Sequence, residues 1–377
     1  MIRLLANPAS RSGKGKRLWK GWTDRLRSQR LPHDLRVTAS REDCRKQAEL
    51  ACRDSSIVVA VGGDGTINAV LTGLLHANPP HASPQTMPDQ ERTPASPPSG
   101  LPANGVSSPP VAMLDASDIS APPVALPGDG SALPSTEPSP NNDPLSPPLF
   151  GVLYAGTSPD FCRFHGIPTE PQAAMDTLLA GRARPVDVAA ITFSSPAGKK
   201  AEGYFACGCH IGLGAATAAF ANTWRKHLGD RCGTGIGLAR AMFRHTPFAC
   251  RILADADVLH FARANHVMIL KNPHIASGLR VTLPLEPDDG GLALVVVHGH
   301  SSLGLLRLLP LLYSGALAKT RGVHVRRCAS VHVETVPPQP VEFDGDPQGH
   351  SPVAIRLSPK ALPLLCPSPQ GAAHARN

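Results

Sequence analysis

The chain has 377 residues, of which 42% are hydrophobic, and its formal net charge is +8. That length is sufficient for two domains with real cores, whereas 40 prolines and only 4% aromatic residues indicate that part of it is not packed structure. The positive charge fits a polyanionic nucleotide or an anionic membrane surface. No motif with interleaved basic and aromatic residues is present, so we expect no nucleic-acid partner.

Membrane insertion and secretion are not expected either. No apolar run reaches the length that spans a bilayer, and no charged-then-apolar leader precedes the first predicted strand. Nine cysteines without a CxxC pair indicate reduced thiols. We therefore predict a cytoplasmic protein, at most peripheral at the membrane.

The first predicted elements alternate between strand and helix, which is typical of a parallel sheet in an α/β domain. In chain order they are a strand over 2–6, a helix over 19–27, a strand over 35–38 and a helix over 41–52. The turn after the first strand, residues 7–16 (NPASRSGKGK), combines small residues with cations. It is typical either of a phosphate-binding turn, with Lys14 as a point-charge ligand, or of a solvated basic turn.

The next stretch, residues 56–68 (SIVVAVGGDGTIN), organises the rest of the chain. A β-branched apolar run leads into Gly62, Gly63, Asp64 and Gly65, and helical spacing resumes at Asn68. Strand, glycine turn and helix bring backbone N–H groups and a helix N-terminus up to a phosphate. An acid in such a cradle indicates a bridging cation, a proton or a sugar hydroxyl, although a tight turn with an Asx motif remains an alternative.

Residues 77–148 interrupt this pattern with proline, serine and few large apolar residues, which predicts a disordered surface insertion. A strand over 149–154 then enters the turn 155–161 (AGTSPDF), and a helix is predicted over 171–180. From residue 182 many short strands with turn signals predict a β-sandwich-like domain. Helices are predicted within it at 215–243 and 303–314.

Two acidic motifs lie in the β-rich half. Residues 287–292 (PDDGGL) fit either a hairpin turn or a metal site that uses Asp289. Residues 341–346 (VEFDGD) contain Asp344 and Asp346. Residues 355–370 are predicted to return to the first domain, and residues 371–377 form a frayed tail.

Taken together, these motifs resemble the diacylglycerol kinase catalytic family, which includes sphingosine and ceramide kinases and bacterial lipid kinases. The resemblance rests on Asn7-Pro8, GGDGTIN, GTSPDF, DDG and DGD occurring in family order along nearly the whole chain. It implies an NAD kinase/diacylglycerol kinase-like fold with a cleft between the two domains. It also implies an ATP-dependent lipid kinase that uses Mg²⁺ and acts on a diacylglycerol-like or sphingoid hydroxyl.

The same resemblance implies roles for individual residues. Asp344 would be the base, Asp346 would support it or reach Mg²⁺, and Asp64 would lie near the phosphates; Asp289 is a further candidate metal ligand. The residues that would contact the nucleotide are Asn7, Pro8, Ser12, Lys14, Gly62, Gly63, Asp64, Gly65, Thr66, Asn68, Gly156 and Thr157.

Three positions depart from the family pattern. Pro159 replaces an asparagine and removes a side-chain contact and a backbone donor, and Ala69 replaces a glutamate. At the third, Asp346 stands where the family has glutamate. A nucleotide- or lipid-binding homologue without catalysis and an NAD kinase-type enzyme therefore remain alternatives. The predicted domains are 1–76 with 149–181 for nucleotide, and 182–354 for the lipid substrate.

Overall fold

The computed structural model describes residues 1–13, 15–80, 147–216, 241, 245–275 and 279–367. Most of the predicted insertion at 77–148, most of the predicted helix at 215–243 and the tail at 371–377 lie outside these residues. Lys14 and the side chain of Ser12 do so as well. The predicted domain boundaries stay predictions.

The first half of the chain is an α/β unit. Its strands are β1 (Ile2–Ala6), β2 (His33–Val37), β3 (Ile57–Gly62) and β4 (Leu149–Tyr154). Its helices are α1 (Lys16–Ser28), α2 (Arg41–Ala51), α3 (Asp64–Ala77), α4 (Asp160–His165) and α5 (Pro171–Ala180), with a 3₁₀ turn at Ser10–Gly13. The strands pair in parallel in the order β4-β3-β1-β2.

Helices cover both faces of this sheet, which explains why β1 is buried along its whole length and β3 along nearly all of it. On one face, Trp22 of α1 and Met175 of α5 pack against Leu4. On the other, Ala48 of α2 and Leu71 of α3 pack against the strands. The carboxyl ends of β3 and β4 therefore lie at the same edge of this sheet.

The second half is antiparallel. Its strands are β5 (Arg182–Ser194), β6 (Lys200–Phe205), β7 (Gly208–Gly212), β8 (Phe248–Ala254), β9 (Asp257–Leu270), β10 (His274–Ile275), β11 (Leu279–Arg280), β12 (Leu292–His298), β13 (Val323–Cys328), β14 (Ser330–Val336), β15 (Pro340–Phe343) and β16 (Asp346–Cys366). A helix, α6 (Ser302–Ser314), packs on them through Leu305 and Leu308, and a 3₁₀ turn follows at Ala316–Lys319. The inner faces of the strands form a separate apolar core.

The last strand, β16, runs through both halves. It pairs antiparallel with β15, β14 and β5, and near its end Leu364 pairs in parallel with Phe150 of β4. Its first residue, Asp346, belongs to the acidic motif predicted to line the cleft. The strand thus holds the acidic motif in a fixed position relative to the parallel sheet.

Candidate active site

A cavity of about 720 Å³ opens where the two halves meet. One end is polar and is formed by the turns after β1, β3 and β4 and by the β15–β16 turn. The other end is apolar and lies between α6 and strands β9 and β12. This size and this combination of polar and apolar lining are typical of small-molecule sites.

Glycines allow the turns at the polar end to pack closely. A Cβ on Gly62 would lie 2.3 Å from Thr66 Oγ1, and a Cβ on Gly156 would lie 2.5 Å from the Cα of Gly63. Asn7 Nδ2 donates to the same Thr66 Oγ1 at 3.1 Å. The turns after β1, β3 and β4 are thereby joined into one surface at the N-terminus of α3, where backbone N–H groups favour an anion.

Asp64 is the first residue of α3 and faces the cavity. Burial and the nearby negative charges of Asp160 and Asp344 raise its pKa to about 8. Its Oδ1 atom is buried and has no hydrogen-bond partner among the described residues. An unsatisfied carboxylate oxygen in this position can hold a proton or a cation.

Asp344 is held in place by surrounding N–H groups. Its Oδ1 accepts from the backbone N–H of Cys207 (2.9 Å) and Gly208 (3.1 Å), and its Oδ2 accepts from Ala206 N (3.1 Å) and Asn68 Nδ2 (2.8 Å). Its backbone adopts the left-handed region, with φ of 49°. Burial raises the pKa of Asp344, although these hydrogen bonds lower it in part.

Asp346 is less enclosed, with a side chain 35% exposed. Arg41, at the start of α2, forms an ion pair with Asp346 and also donates to Asn68 Oδ1. Asn68 in turn donates to Asp344, so a continuous hydrogen-bonded chain connects the two acids. A Cβ on Gly65 would lie 3.1 Å from Asp346 Oδ2, so a glycine there lets this carboxylate approach the start of α3.

The apolar end is a channel lined by aliphatic side chains. They are Leu213, Met268, Leu270, Ile275, Leu279, Val297, Leu305, Leu308, Leu309, Leu312 and Leu317. Two histidines lie beside it, with His210 Nδ1 3.2 Å from His266 Nε2. Burial lowers the pKa of His210 to about 4 and that of His266 well below its usual value, so both imidazoles are neutral.

The structure does not bring Asp289 to this cavity. Its Oδ1 is 2.6 Å from Lys271 Nζ, and its Oδ2 is 3.0 Å from Arg327 Nη1. Burial raises its pKa, but the hydrogen bonds from Lys271 and from backbone N–H groups outweigh that effect and lower the pKa to about 2. Two protein cations thus occupy the carboxylate that the sequence predicts as a metal ligand.

The other predicted site residues divide into two groups. Those that line the cavity are Asn7, Gly63, Asp64, Gly65, Thr66, Gly156, Thr157, Asp344 and Asp346. Pro8, Gly62 and Asn68 do not line it; Gly62 and Asn68 support it from behind. In particular, the amide of Asn68 binds Asp344 and the carbonyl of Tyr204, which are protein groups rather than a nucleotide.

Arg41 and Asp160 are among the polar residues of the cavity that the predicted site does not include. Arg41 follows the helix cap Ser40, and in sequence it is only an ordinary basic residue of a first helical turn. Asp160 lies within the GTSPDF motif and begins α4, where Ser158 donates to it at 2.8 Å. The position of Asp160 inside a recognised motif was a usable signal, whereas Arg41 had none.

Comparisons with known proteins agree with this architecture. Residues 1–88 match the diacylglycerol kinase catalytic domain, and residues 209–366 match the YegS C-terminal NAD kinase beta sandwich-like domain. These matches define the class as NAD kinase/diacylglycerol kinase-like, with a C-terminal β-sandwich domain.

Within that class, the N-terminal part of the chain, residues 1–88, is similar to the diacylglycerol kinase catalytic domain. A diacylglycerol kinase of Mycobacterium tuberculosis is 28% identical over 218 residues, which cover 58% of this chain and 69% of that protein.

Solved structures support the fold. One crystal structure from Bacillus anthracis str. Sterne has a TM-score of 0.64 at 17% identity and covers 98% of each chain. Another, of a diacylglycerol kinase from the same strain, has a TM-score of 0.60 at 16% identity, covering 98% of this chain and 97% of that one.

Two kinds of feature are absent from the described residues. None of their helices is both long and apolar enough to cross a bilayer. Nor do three histidine, cysteine or acidic side chains in those ranges converge on one point as a metal site would require.

Proposed function

We propose that this protein is an ATP-dependent lipid kinase that transfers the γ-phosphate of ATP to a lipid hydroxyl. The observation that carries this proposal is the continuous cavity. Its polar end has an anion-binding turn with carboxylates, and its other end is an aliphatic channel. The two ends fit a nucleotide and an acyl chain, and the acidic residues lie where these would meet.

The polar end suits the phosphates of ATP. The N-terminus of α3 and the joined glycine turns present backbone N–H groups, and Arg41 adds a cation at the cavity wall. The residues of this end fit a hard cation as well, because Asp64 Oδ1 is buried without a hydrogen-bond partner among the described residues. Asp64 would hold Mg²⁺ together with the phosphates, with Asp346 as a second candidate ligand. Bound there, the ion would offset the negative charge of the phosphates.

The contacts favour Asp346 over Asp344 as the group that accepts the hydroxyl proton. The two oxygens of Asp344 already accept four hydrogen bonds, which is about the full capacity of a carboxylate. Asp346 is more open and is oriented by Arg41. In the reaction, the acceptor oxygen bonds to the γ-phosphorus, the bond to the β–γ bridging oxygen breaks, ADP leaves and the proton passes to Asp346.

The apolar end suits one or two aliphatic chains of a diacylglycerol-like or sphingoid acceptor. Because His210 and His266 are neutral, the channel carries no positive charge from them. Such an acceptor resides in a membrane, so we expect peripheral contact of a cytoplasmic protein with the bilayer surface.

A homologue that binds nucleotide or lipid without catalysis is the second candidate. Ala69, which replaces a glutamate of the family pattern, lines the cavity, and its side chain has neither donor nor acceptor. Such a protein would bind ATP but form no phosphorylated lipid.

The test is transfer of labelled γ-phosphate from ATP to diacylglycerol, sphingosine and ceramide in mixed micelles with Mg²⁺. We expect a labelled product with one acceptor class, and a loss of about 10³-fold in kcat for Asp64→Asn and for Asp346→Asn. Asp176→Asn is the matched control, because Asp176 pairs with Arg25 on the outer surface of the α/β half. Full turnover by both cleft variants contradicts the proposed mechanism, and ATP binding without any labelled lipid supports the second candidate.

A further inference from the structure

Outside the cleft, the charged side chain of Lys271, which follows β9, is only 1% exposed. Its Nζ atom is surrounded by four oxygens: Asp187 Oδ2 at 2.8 Å, Asp289 Oδ1 at 2.6 Å, and the carbonyls of Glu286 at 2.8 Å and Gly291 at 3.2 Å. We call these four oxygens the cage. An ammonium has only three hydrogens, so it cannot donate a separate hydrogen bond to each of four oxygens. Four oxygens at these distances therefore suit a compact positive charge.

Groups other than the lysine hold the cage in shape. Asp187 accepts from the backbone N–H of Lys360 (2.9 Å) and Gly290 (2.8 Å). Asp289 accepts from the N–H of Glu286 (3.0 Å) and of Gly291 (3.1 Å). Each carboxylate is therefore oriented by two backbone donors. The geometry of the cage does not depend on which cation it encloses.

The donor set is that of a hard-metal site. Two carboxylates and two backbone carbonyls are ligands that Ca²⁺ and Mg²⁺ use in proteins, and the buried carboxylate of Asp187, next to that of Asp289, requires a compensating charge. We propose that the Lys271 ammonium is the permanent cation of a site that would otherwise hold a divalent metal ion. Lys271 thus makes this part of the fold independent of metal, and Asp289 is not a metal ligand in this chain.

The cage joins segments that are far apart in sequence. Asp187 lies on β5, Lys360 on β16, Lys271 after β9, and residues 286–291 before β12. A cation at this point therefore fastens the strand that enters the β-rich half to the loop beside it. Its loss leaves the buried carboxylate of Asp187 without a countercharge, and it leaves Asp289 with Arg327 as its remaining cationic partner.

Two substitutions distinguish the effect of removing the positive charge from the effect of leaving room for an ion. Lys271→Leu removes the ammonium and leaves room for an ion at the former Nζ position. Lys271→Met removes the same charge, but its terminal methyl lies where Cε of the lysine lay, one bond length from the former Nζ position and too close for an ion to occupy it. Both variants should melt roughly 5–15 °C below the parent protein in a chelating buffer. Melting curves are then repeated with Ca²⁺, Mg²⁺ or Mn²⁺ in place of the chelator, without nucleotide.

We expect divalent ions to restore most of the lost melting temperature in Lys271→Leu and to leave Lys271→Met unchanged. Titration followed by the Mn²⁺ EPR signal should show one more bound ion in Lys271→Leu than in the parent. The extra ion should disappear in Lys271→Leu/Asp289→Asn. If Lys271→Leu is recovered folded only when divalent ions are present, the proposal is equally supported. Equal responses of the Leu and Met variants, or no additional Mn²⁺ in folded Lys271→Leu, overturn it.

Discussion

The cleft and the cage place the same residue type in opposite electrostatic situations. In the cleft, Asp64 lies among other acids and its pKa is raised to about 8. In the cage, Asp289 contacts Lys271 and Arg327 and its pKa is lowered to about 2. The uncompensated acid is suited to a ligand, whereas the compensated acid is suited to holding the fold. The partners of a carboxylate, more than its sequence motif, therefore indicate what it does.

The largest expected effect is that of Asp289→Asn, which should lose stability without losing activity. Asp289→Asn leaves Lys271 with one carboxylate in a buried site, and we expect it to lower the free energy of unfolding by about 3–5 kcal/mol. Urea unfolding measures this loss, and kcat at a temperature where the variant is folded should match that of the parent.

The neighbouring Asp288 is the matched control for that experiment, because its pair with Arg184 is partly exposed. Asp288→Asn should cost less than about 1 kcal/mol. Equal costs for the two variants would show that the cage carries no special share of the stability.

A smaller effect concerns Arg41, which contacts Asp346 and Asn68. Arg41→Met removes the group that orients Asp346, and we expect kcat to fall on the order of 10- to 100-fold, with part of the rate restored in Arg41→Lys. Steady-state kinetics measures both variants. Arg45→Met, one turn further along α2, removes an arginine that pairs with Glu42 instead and should keep the parental rate. A similar loss in that variant would mean that the helix, and not the contact with Asp346, is responsible.

A further effect is a pH dependence of stability that the cleft should show. The unfolded chain releases the Asp64 proton near the ordinary pKa of 3.8, whereas the folded protein without ligand retains it up to about 8. The neutral carboxyl therefore contributes stability that is complete below the first value and is lost as the pH rises through the second.

Asp64→Asn does not titrate, so its melting temperature relative to the parent should rise between about pH 5 and about pH 9. Differential scanning calorimetry across that range measures the difference, with Asp176→Asn as a control that should show no trend. A constant difference would mean that the pKa of Asp64 is not raised.

The turn around Asp64 could be predicted from sequence because strand, glycines and helix are adjacent there. The environment of Asp344 could not, because Asn68 lies 276 positions away and the other donors are backbone groups of residues 206–208, where the chain turns from β6 into β7. The motif therefore indicated a base where the contacts show a carboxylate already bound by four donors. The role of Lys271 could not be predicted for the same reason. It contacts Asp187 across 84 positions, and no local pattern indicates that contact.

The long last strand has a consequence for how the protein is made. During translation, β4 emerges far earlier than the end of β16, its neighbour in the sheet. Until residues near 364 leave the ribosome, β4 remains an unpaired edge, which can pair with other chains. Asp344 and Asp346 also emerge after β4, so the cleft and the pairing of β4 with β16 are completed only when residues 344–364 have been made. A nascent chain that stops before that point lacks both acids of the cleft and leaves the edge of β4 exposed, which favours aggregation.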